Sequence, residues 1–166
     1  FIASWLHENQ PLEDQSSIVH NDFKYDNLIL DKDNHSKITA VLDWEMATIG
    51  DPFMDLGTTL GYWVDKNDLP ELKLFQLSAT TLEGNPTREG ILELYEKESG
   101  KNITNPVFYY VFGLFKIAVI AQQIYFRYKK GYTKDRRFSV LNLAVMSLSV
   151  MAKQAIIKNR LSDLFE

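Results

Sequence analysis

Up to Gly50 the apolar positions come in short runs; beyond it they recur every three or four residues, so a β-rich beginning gives way to a helical remainder. Phe1, Ile2, Trp5 and Leu6 have helical spacing and read as the last turns of a helix. Ser17 to Val19, Leu28 to Leu30 and Ile38 to Leu42 are short and β-prone, and Asp31-Lys32-Asp33-Asn34 between the last two is turn chemistry, which predicts a hairpin over 28–42. A first helix opens with Asp51 as cap and Pro52 behind it, lines up Phe53, Leu56 and Leu60 on one face, and meets a stop at Gly61. Asn85-Pro86-Thr87 opens a second helix through Tyr95, closed by Gly100, and Asn105-Pro106 opens a long third reaching Lys130 and Gly131. The last spans about Arg136 to Arg160. There Val140, Leu141, Ala144, Val145, Leu148, Met151 and Ala155 form a stripe that packs on the third helix. No repeat and no Gly-, Pro- or Ser-rich linker divides residues 1–166, so one α+β unit is expected, hairpin first and helical bundle after.

With 166 residues, 45% apolar and 24% charged, the chain is large enough for one ordinary folded core. Its net charge of −4 gives no broad attraction to nucleic acid or to an anionic membrane, so neither is expected as a partner. Without cysteine there is no disulfide framework, thiolate nucleophile or cysteine zinc site. The most apolar stretch, Val107 to Ala121, is interrupted by Lys116 and falls short of the roughly 20 residues of a bilayer crossing, so it reads as a buried helix. No methionine precedes Phe1, which suggests a piece of a longer parent; a cytoplasmic location is expected, with an organelle left open.

Chemistry gathers at the ends of the short apolar runs. Ile18-Val19 leads into His20-Asn21-Asp22, Asn27 follows just before the next run, and the hairpin returns Asp43 at its far end, ahead of Trp44 and Glu45. That succession resembles the catalytic and metal-binding segments of the kinase fold. Phosphoryl transfer from ATP needs a carboxylate beside the acceptor hydroxyl to orient it and take its proton, and Asp22 is placed for this, ionised at neutral pH with an ordinary Asp pKa of about 3.9. Mg2+ prefers hard oxygen ligands and bridges nucleotide phosphates, so Asn27 offers a carbonyl oxygen and Asp43 a carboxylate. Lys24 lies where a point cation offsets charge on the transferred group, and His20 braces the loop by hydrogen bonding rather than reacting.

Singly, such residues have plainer roles: an Asp or Asn caps turns, and a Lys is a solvated surface charge. Their conjunction with the hairpin favours the catalytic reading. Asp51 and Asp55 open the helix that follows. The helix dipole alone explains either of them, but a carboxylate there can also accept backbone N–H bonds from the catalytic loop and hold it, a role favoured for Asp55 and left balanced against the dipole for Asp51. Two competing readings stay open, a metal-dependent hydrolase built on His20, Asp22, Asp43 and Asp51, and a kinase-like binding module without activity. The first is short of histidine, having only His7, His20 and His35 to draw on.

At the level of a family, the sequence resembles the C-terminal lobe of the aminoglycoside phosphotransferases, small-molecule kinases with a protein-kinase-like fold. Their signature is His-Gly-Asp-x-x-x-x-Asn, a later Ile-Asp-Phe/Trp-Glu, and Gly-Asp-Pro-x-x-Asp-Leu. It is matched by His20, Asp22, Asn27, Asp43, Trp44, Glu45, Gly50, Asp51, Pro52, Asp55 and Leu56. Tyr110 to Lys116 and Ile124 to Tyr128 look most like the branch related to the kinase domains of acyl-CoA dehydrogenase-like proteins, which is associated with phosphorylating hydroxyacyl-CoA compounds. The resemblance implies ATP, Mg2+ and a small hydroxyl-bearing substrate. It also implies a coenzyme A contact for the basic cluster Arg127, Lys129, Lys130, Lys134, Arg136 and Arg137, with Tyr125 and Tyr128 lining an acyl or adenine surface.

Two departures stand out. Asn21 replaces the family's Gly, a change that Asn's tolerance of left-handed backbone can accommodate. The eight glycines contain neither G-x-G-x-x-G nor a Walker A pattern, so the ATP-covering lobe is not in these residues and is expected as a partner from the parent chain. A lobe without it is expected to be inactive alone and to self-associate through exposed residues such as Trp5 and Trp44.

Overall fold

The computed structural model describes residues 1–12, 16–74 and 79–166. Among these residues four short strands make two antiparallel pairs, one nested inside the other. β2 (Leu28–Leu30) and β3 (Ile38–Val41) form the anticipated hairpin, whose turn is held by the Asp31 carboxylate accepting from the N–H groups of Asp33 and Asn34. Outside it, β1 (Ser17–Val19) pairs with β4 (Thr48–Gly50) in the register Ser17↔Gly50. β4 is not foreseen in the pattern of apolar residues; three residues are too few for alternation to show, and the strand exists because β1 offers it an edge. The nesting brings the segment leaving β1 against the segment leaving β3.

Helices fill the rest. A short α1 (Ile2–Glu8) precedes the strands, and α2 (Pro52–Tyr62), α3 (Pro70–Leu74), α4 (Arg88–Ser99), α5 (Pro106–Lys129) and α6 (Leu141–Lys158) follow them. Asp51, Thr87 and Asn105 cap α2, α4 and α5 by accepting from Phe53, Gly90 and Phe108, and Gly100 closes α4 with φ 68°. The final helix differs from expectation: Asp135 caps a 3-10 segment, Arg136–Val140, and only then does the α-helix begin, leaving Val140 exposed. Gly61 does not stop α2. It lies within the helix, where a Cβ would press on Ile117 and on the backbone of α5. Trp5 is half-buried, its ring 6.4 Å from that of Phe108.

α5 runs through the core. Tyr110, Val111 and Leu114 are sealed among Phe53 and Leu60 of α2 and Met151 and Ala155 of α6. α2 and α5 cross at Gly57 and Gly113, where a Cβ on either glycine would overlap the other helix's backbone, so the crossing requires both. By length and composition α5 and the segment Arg136–Lys158 are each sufficient to cross a bilayer; α5 is 24 residues long because it continues well beyond Ala121. Both are packed against each other, as core helices are. A second polar anchor is Arg88, 1% exposed, which pairs with Asp68 and Asp65 and donates to the carbonyls of Trp63 and Leu161. It ties α4 to the chain's C-terminal end.

Candidate active site

The loop between β1 and β2 carries His20, Asn21, Asp22 and Lys24, with Asn27 ending a 3-10 turn, Tyr25–Asn27. Asn21 has φ 67°, the left-handed conformation, which turns the chain sharply so that Asp22 projects from the loop. Asp55, in the first turn of α2, grips this bend with both carboxylate oxygens, each 2.7 Å from a backbone nitrogen, one of His20 and one of Asn21. Asp51, by contrast, is occupied with its own helix, accepting from the Phe53 N–H at 2.8 Å.

His20 is 4% exposed and both ring nitrogens are engaged. Nε2–H donates to the Leu42 carbonyl at 2.7 Å and Nδ1 accepts from the Asp22 N–H at 3.2 Å, an assignment fixed by the partners and appropriate to a neutral ring. Trp44 packs on it with ring centroids 4.7 Å apart. Leu42 belongs to the segment leading to Asp43, so the imidazole links the two halves of the site.

Asp22 is half-buried. Lys24 donates to its carboxylate at 2.6 Å, the Asn27 amide at 3.0 Å, and Tyr62 at the end of α2 is a third donor. Burial pushes the carboxyl pKa up, but the hydrogen bond and charge of Lys24, with help from Tyr62 and Asn27, outweigh it and hold the group below the ordinary carboxylate value. Burial, together with the neighbouring Asp22 charge, pushes the Tyr62 phenol up, so it stays a neutral donor. Its ring lies 4.7 Å below the Lys24 ammonium.

Asn27 directs its amide nitrogen to the Asp22 carbonyl and carboxylate, at 2.8 and 3.0 Å. Its oxygen takes no hydrogen bond among the described residues. The Leu42 N–H donates to the Asn27 carbonyl at 2.8 Å, which sets Asp43 beside Asn27 across the hairpin's base. Asp43 also has a left-handed backbone, φ 66°, and its carboxylate is exposed and makes no ion pair among the described residues. No trio of His, Cys, Asp or Glu able to hold a metal occurs among the described residues. An amide oxygen and a carboxylate are too few donors for a protein-only Mg2+ cage, but they suit an ion that takes its other oxygens from phosphates.

Three contributors are missed by reading the sequence. Lys116 interrupts the apolar run of α5 because its ammonium reaches out of the helix to the Asn21 carbonyl at 2.8 Å and the Asn21 side-chain oxygen at 3.2 Å. Its isolation among apolar neighbours was the available signal. Tyr62 and Thr59, whose hydroxyl donates to the Phe23 carbonyl at 2.8 Å, left none. Of the family-matched residues, Glu45 lies exposed in a 3-10 turn, Trp44–Met46.

Comparison with known proteins places this geometry. The sequence model of the phosphotransferase enzyme family matches residues 1–90, which contain every candidate site residue up to Asp55. Acyl-CoA dehydrogenase family member 10 of Mus musculus is 36% identical over 132 residues, 78% of this chain and 12% of its own length. Acyl-CoA dehydrogenase family member 11 of Homo sapiens is 32% identical over 133 residues, again 78% of this chain and 17% of the relative. The chain thus spans under a quarter of the length of the curated relatives it matches. A crystal structure from Ralstonia eutropha, provisionally described as an aminoglycoside phosphotransferase, superposes with a TM-score of 0.71 at 28% identity, covering 89% of this chain and 46% of that one. With its kinase-like fold of two small sheets and a helical bundle, and with the family match covering more than half its length, the chain belongs to the aminoglycoside-phosphotransferase type of phosphotransferase enzymes.

Proposed function

We propose that this chain is the acceptor-binding, catalytic lobe of an ATP- and Mg2+-dependent small-molecule kinase that phosphorylates a hydroxyl group. The observation that carries the reading is the half-buried Asp22, kept ionised by Lys24 on a loop clamped by Asp55. Asp22 orients the acceptor hydroxyl and receives its proton as the new O–P bond forms and the bond from the γ-phosphorus to ADP breaks. Lys24 already sits against this carboxylate, close enough to offset charge on the moving phosphoryl group. Asn27 and Asp43 are the residues that would hold Mg2+, which supplies charge neutralisation on the nucleotide phosphates.

Covering and desolvating ATP falls to an N-terminal lobe outside these 166 residues, and the exposed Ile18, Ile49 and Trp44 beside the site suit contact with it. The chain by itself then transfers nothing at a useful rate and associates through that surface. The acceptor we favour is a hydroxyacyl-CoA or a compound like it, supported by the likeness to the acyl-CoA dehydrogenase family members, and the location we favour is the cytoplasm. The decisive measurement is transfer of labelled phosphate from ATP by the full-length protein to hydroxyacyl-CoA, choline and aminoglycoside panels, with Asp22→Asn as control. Phosphate released without any acceptor product would point to the hydrolase, and ATP binding without turnover to a binding module.

A further inference from the structure

Helix α2 turns one polar stripe toward the catalytic loop. Asp55, Thr59 and Tyr62 are spaced at i, i+4 and i+7, the period of a single helix face. Asp55 accepts from the N–H groups of His20 and Asn21, Thr59 donates to the Phe23 carbonyl at 2.8 Å, and Tyr62 donates to the Asp22 carboxylate. The first two hold backbone. Tyr62 reaches the side chains assigned to the chemistry, and it reaches two of them, because its ring also lies 4.7 Å from the Lys24 ammonium.

This contact has a fixed base. Tyr62 is the last residue of α2, and Trp63 after it is held on both sides: its carbonyl accepts from the buried Arg88 at 2.8 Å, and its indole N–H donates to the Pro86 carbonyl at 3.0 Å. Burial and the Asp22 charge keep the Tyr62 phenol protonated, so toward Asp22 it is a donor only. The pair it touches is largely shielded from water. The side chains of Asp22 and Lys24 are 13% and 16% exposed, and one carboxylate oxygen takes both the Lys24 ammonium at 2.6 Å and the Asn27 amide at 3.0 Å. In transfer, Lys24 has to leave that oxygen for the phosphoryl group while Asp22 engages the acceptor hydroxyl. A released ammonium is drawn to water unless something else holds it, and an aromatic face does so without an anion of its own.

We propose that Tyr62 is a positioning residue for phosphoryl transfer: its hydroxyl fixes the rotation of the Asp22 carboxylate, and its ring tethers Lys24 as the ammonium passes from base to phosphoryl group. The proposal rests on the phosphotransfer reading and deepens it. Tyr62 gives up no proton and forms no bond to substrate; it acts through its two neighbours.

The test uses the full-length protein with ATP and hydroxybutanoyl-CoA. Tyr62→Phe keeps the ring and removes the hydroxyl, and Tyr62→Leu removes both. Turnover should fall about tenfold in the first, from loss of one hydrogen bond to a charged group, and about a hundredfold in the second, with KM for ATP unchanged in each. Phenylalanines bearing one, two or three ring fluorines at position 62 nearly keep the shape while weakening the negative face, and kcat should fall stepwise along that series, about tenfold in all. A side chain that only fills space would give no such trend at equal thermal stability. Crystal structures of the full-length variants read the tether without turnover: the Lys24 ammonium should stay over residue 62 in Tyr62→Phe and leave it in Tyr62→Leu. Should Tyr62→Leu not fold, the trifluorinated variant takes its place in both readouts. Lys24 unmoved in Tyr62→Leu, or kcat indifferent to fluorination, overturns the tether, and near-normal turnover in Tyr62→Phe overturns the role of the hydroxyl. A wild type that phosphorylates no member of the acceptor panel, while Lys24 leaves residue 62 in Tyr62→Leu, removes the phosphotransfer reading and keeps the hold of Tyr62 on the pair.

Discussion

Lys116 donates to the backbone carbonyl of Asn21 at 2.8 Å, joining residues 95 positions apart and tying the central helix α5 to the left-handed bend of the catalytic loop. Asp55 holds the N–H side of the same bend from α2. The two helices are themselves locked at Gly57, two residues after Asp55, and Gly113, three residues before Lys116, so the position of Asp22 is inherited from the core.

Lys116→Met should therefore act on catalysis without touching substrate. Loss of a charged hydrogen bond in a half-buried setting costs about 1–2 kcal/mol of stability, and misplacing the base should lower kcat by roughly ten- to a hundredfold. Nucleotide KM should hold steady, and Lys116→Arg should restore part of the rate. Unchanged kcat in a variant of normal stability would show that the loop needs no support from α5.

Asn21 tests the backbone. Asn21→Gly keeps the φ of 67° accessible, whereas Asn21→Ala places a Cβ in that region at a cost of about 1–2 kcal/mol. Thermal melts should rank Gly above Ala, and activity should follow the same order. Ala equal to or above Gly would mean that the left-handed backbone at this position costs nothing, whereas equal losses in both variants would put the weight on the side-chain bonds to Lys116 and Met46.

Asp22→Asn should reduce turnover about 100-fold or more with the fold intact, in line with general-base contributions. Near-normal turnover would remove the kinase mechanism.

Lys24→Met should change the pH profile in a direction that follows from the electrostatics. Lys24 is a principal force holding the Asp22 pKa down, so its removal lets burial dominate and the acid limb of kcat should move to higher pH. By the same sign, stability from the ionised Asp22 is present above the unfolded carboxylate range and fades as pH falls through the lower folded value; the variant should lose less on acidification. An acid limb that stays in place would separate Lys24 from the base.

For the metal half-site, Asp43→Ala should weaken Mg2+-dependent nucleotide binding more than Asn27→Ala, because a carboxylate brings charge as well as a ligand. Titration of the full-length protein with Mg2+ and nucleotide measures both, and equal, minor losses would argue against the pairing.

Local chemistry was enough to read much of this protein from its sequence. Caps at Asp51, Thr87 and Asn105, the turn at Asp31 to Asn34 and the spacing of His20, Asp22, Asn27 and Asp43 each depend on neighbours within a few residues, so they show in one dimension. The three-residue β4, the 3-10 start of the last helix, and Gly61 lying inside α2 did not show, because each depends on what packs against it. Among polar residues the same division holds. Arg88 looks like any helical arginine until Asp65 and Asp68 meet it in the interior, and Lys116 looks like a flaw in an apolar run until Asn21 arrives at its ammonium. Tyr62 joins the site only because α2 runs alongside the loop and ends beside Asp22. Burial and charge pairing between distant segments are properties of the packed chain, and they decided which residues support the base that the motif had already named.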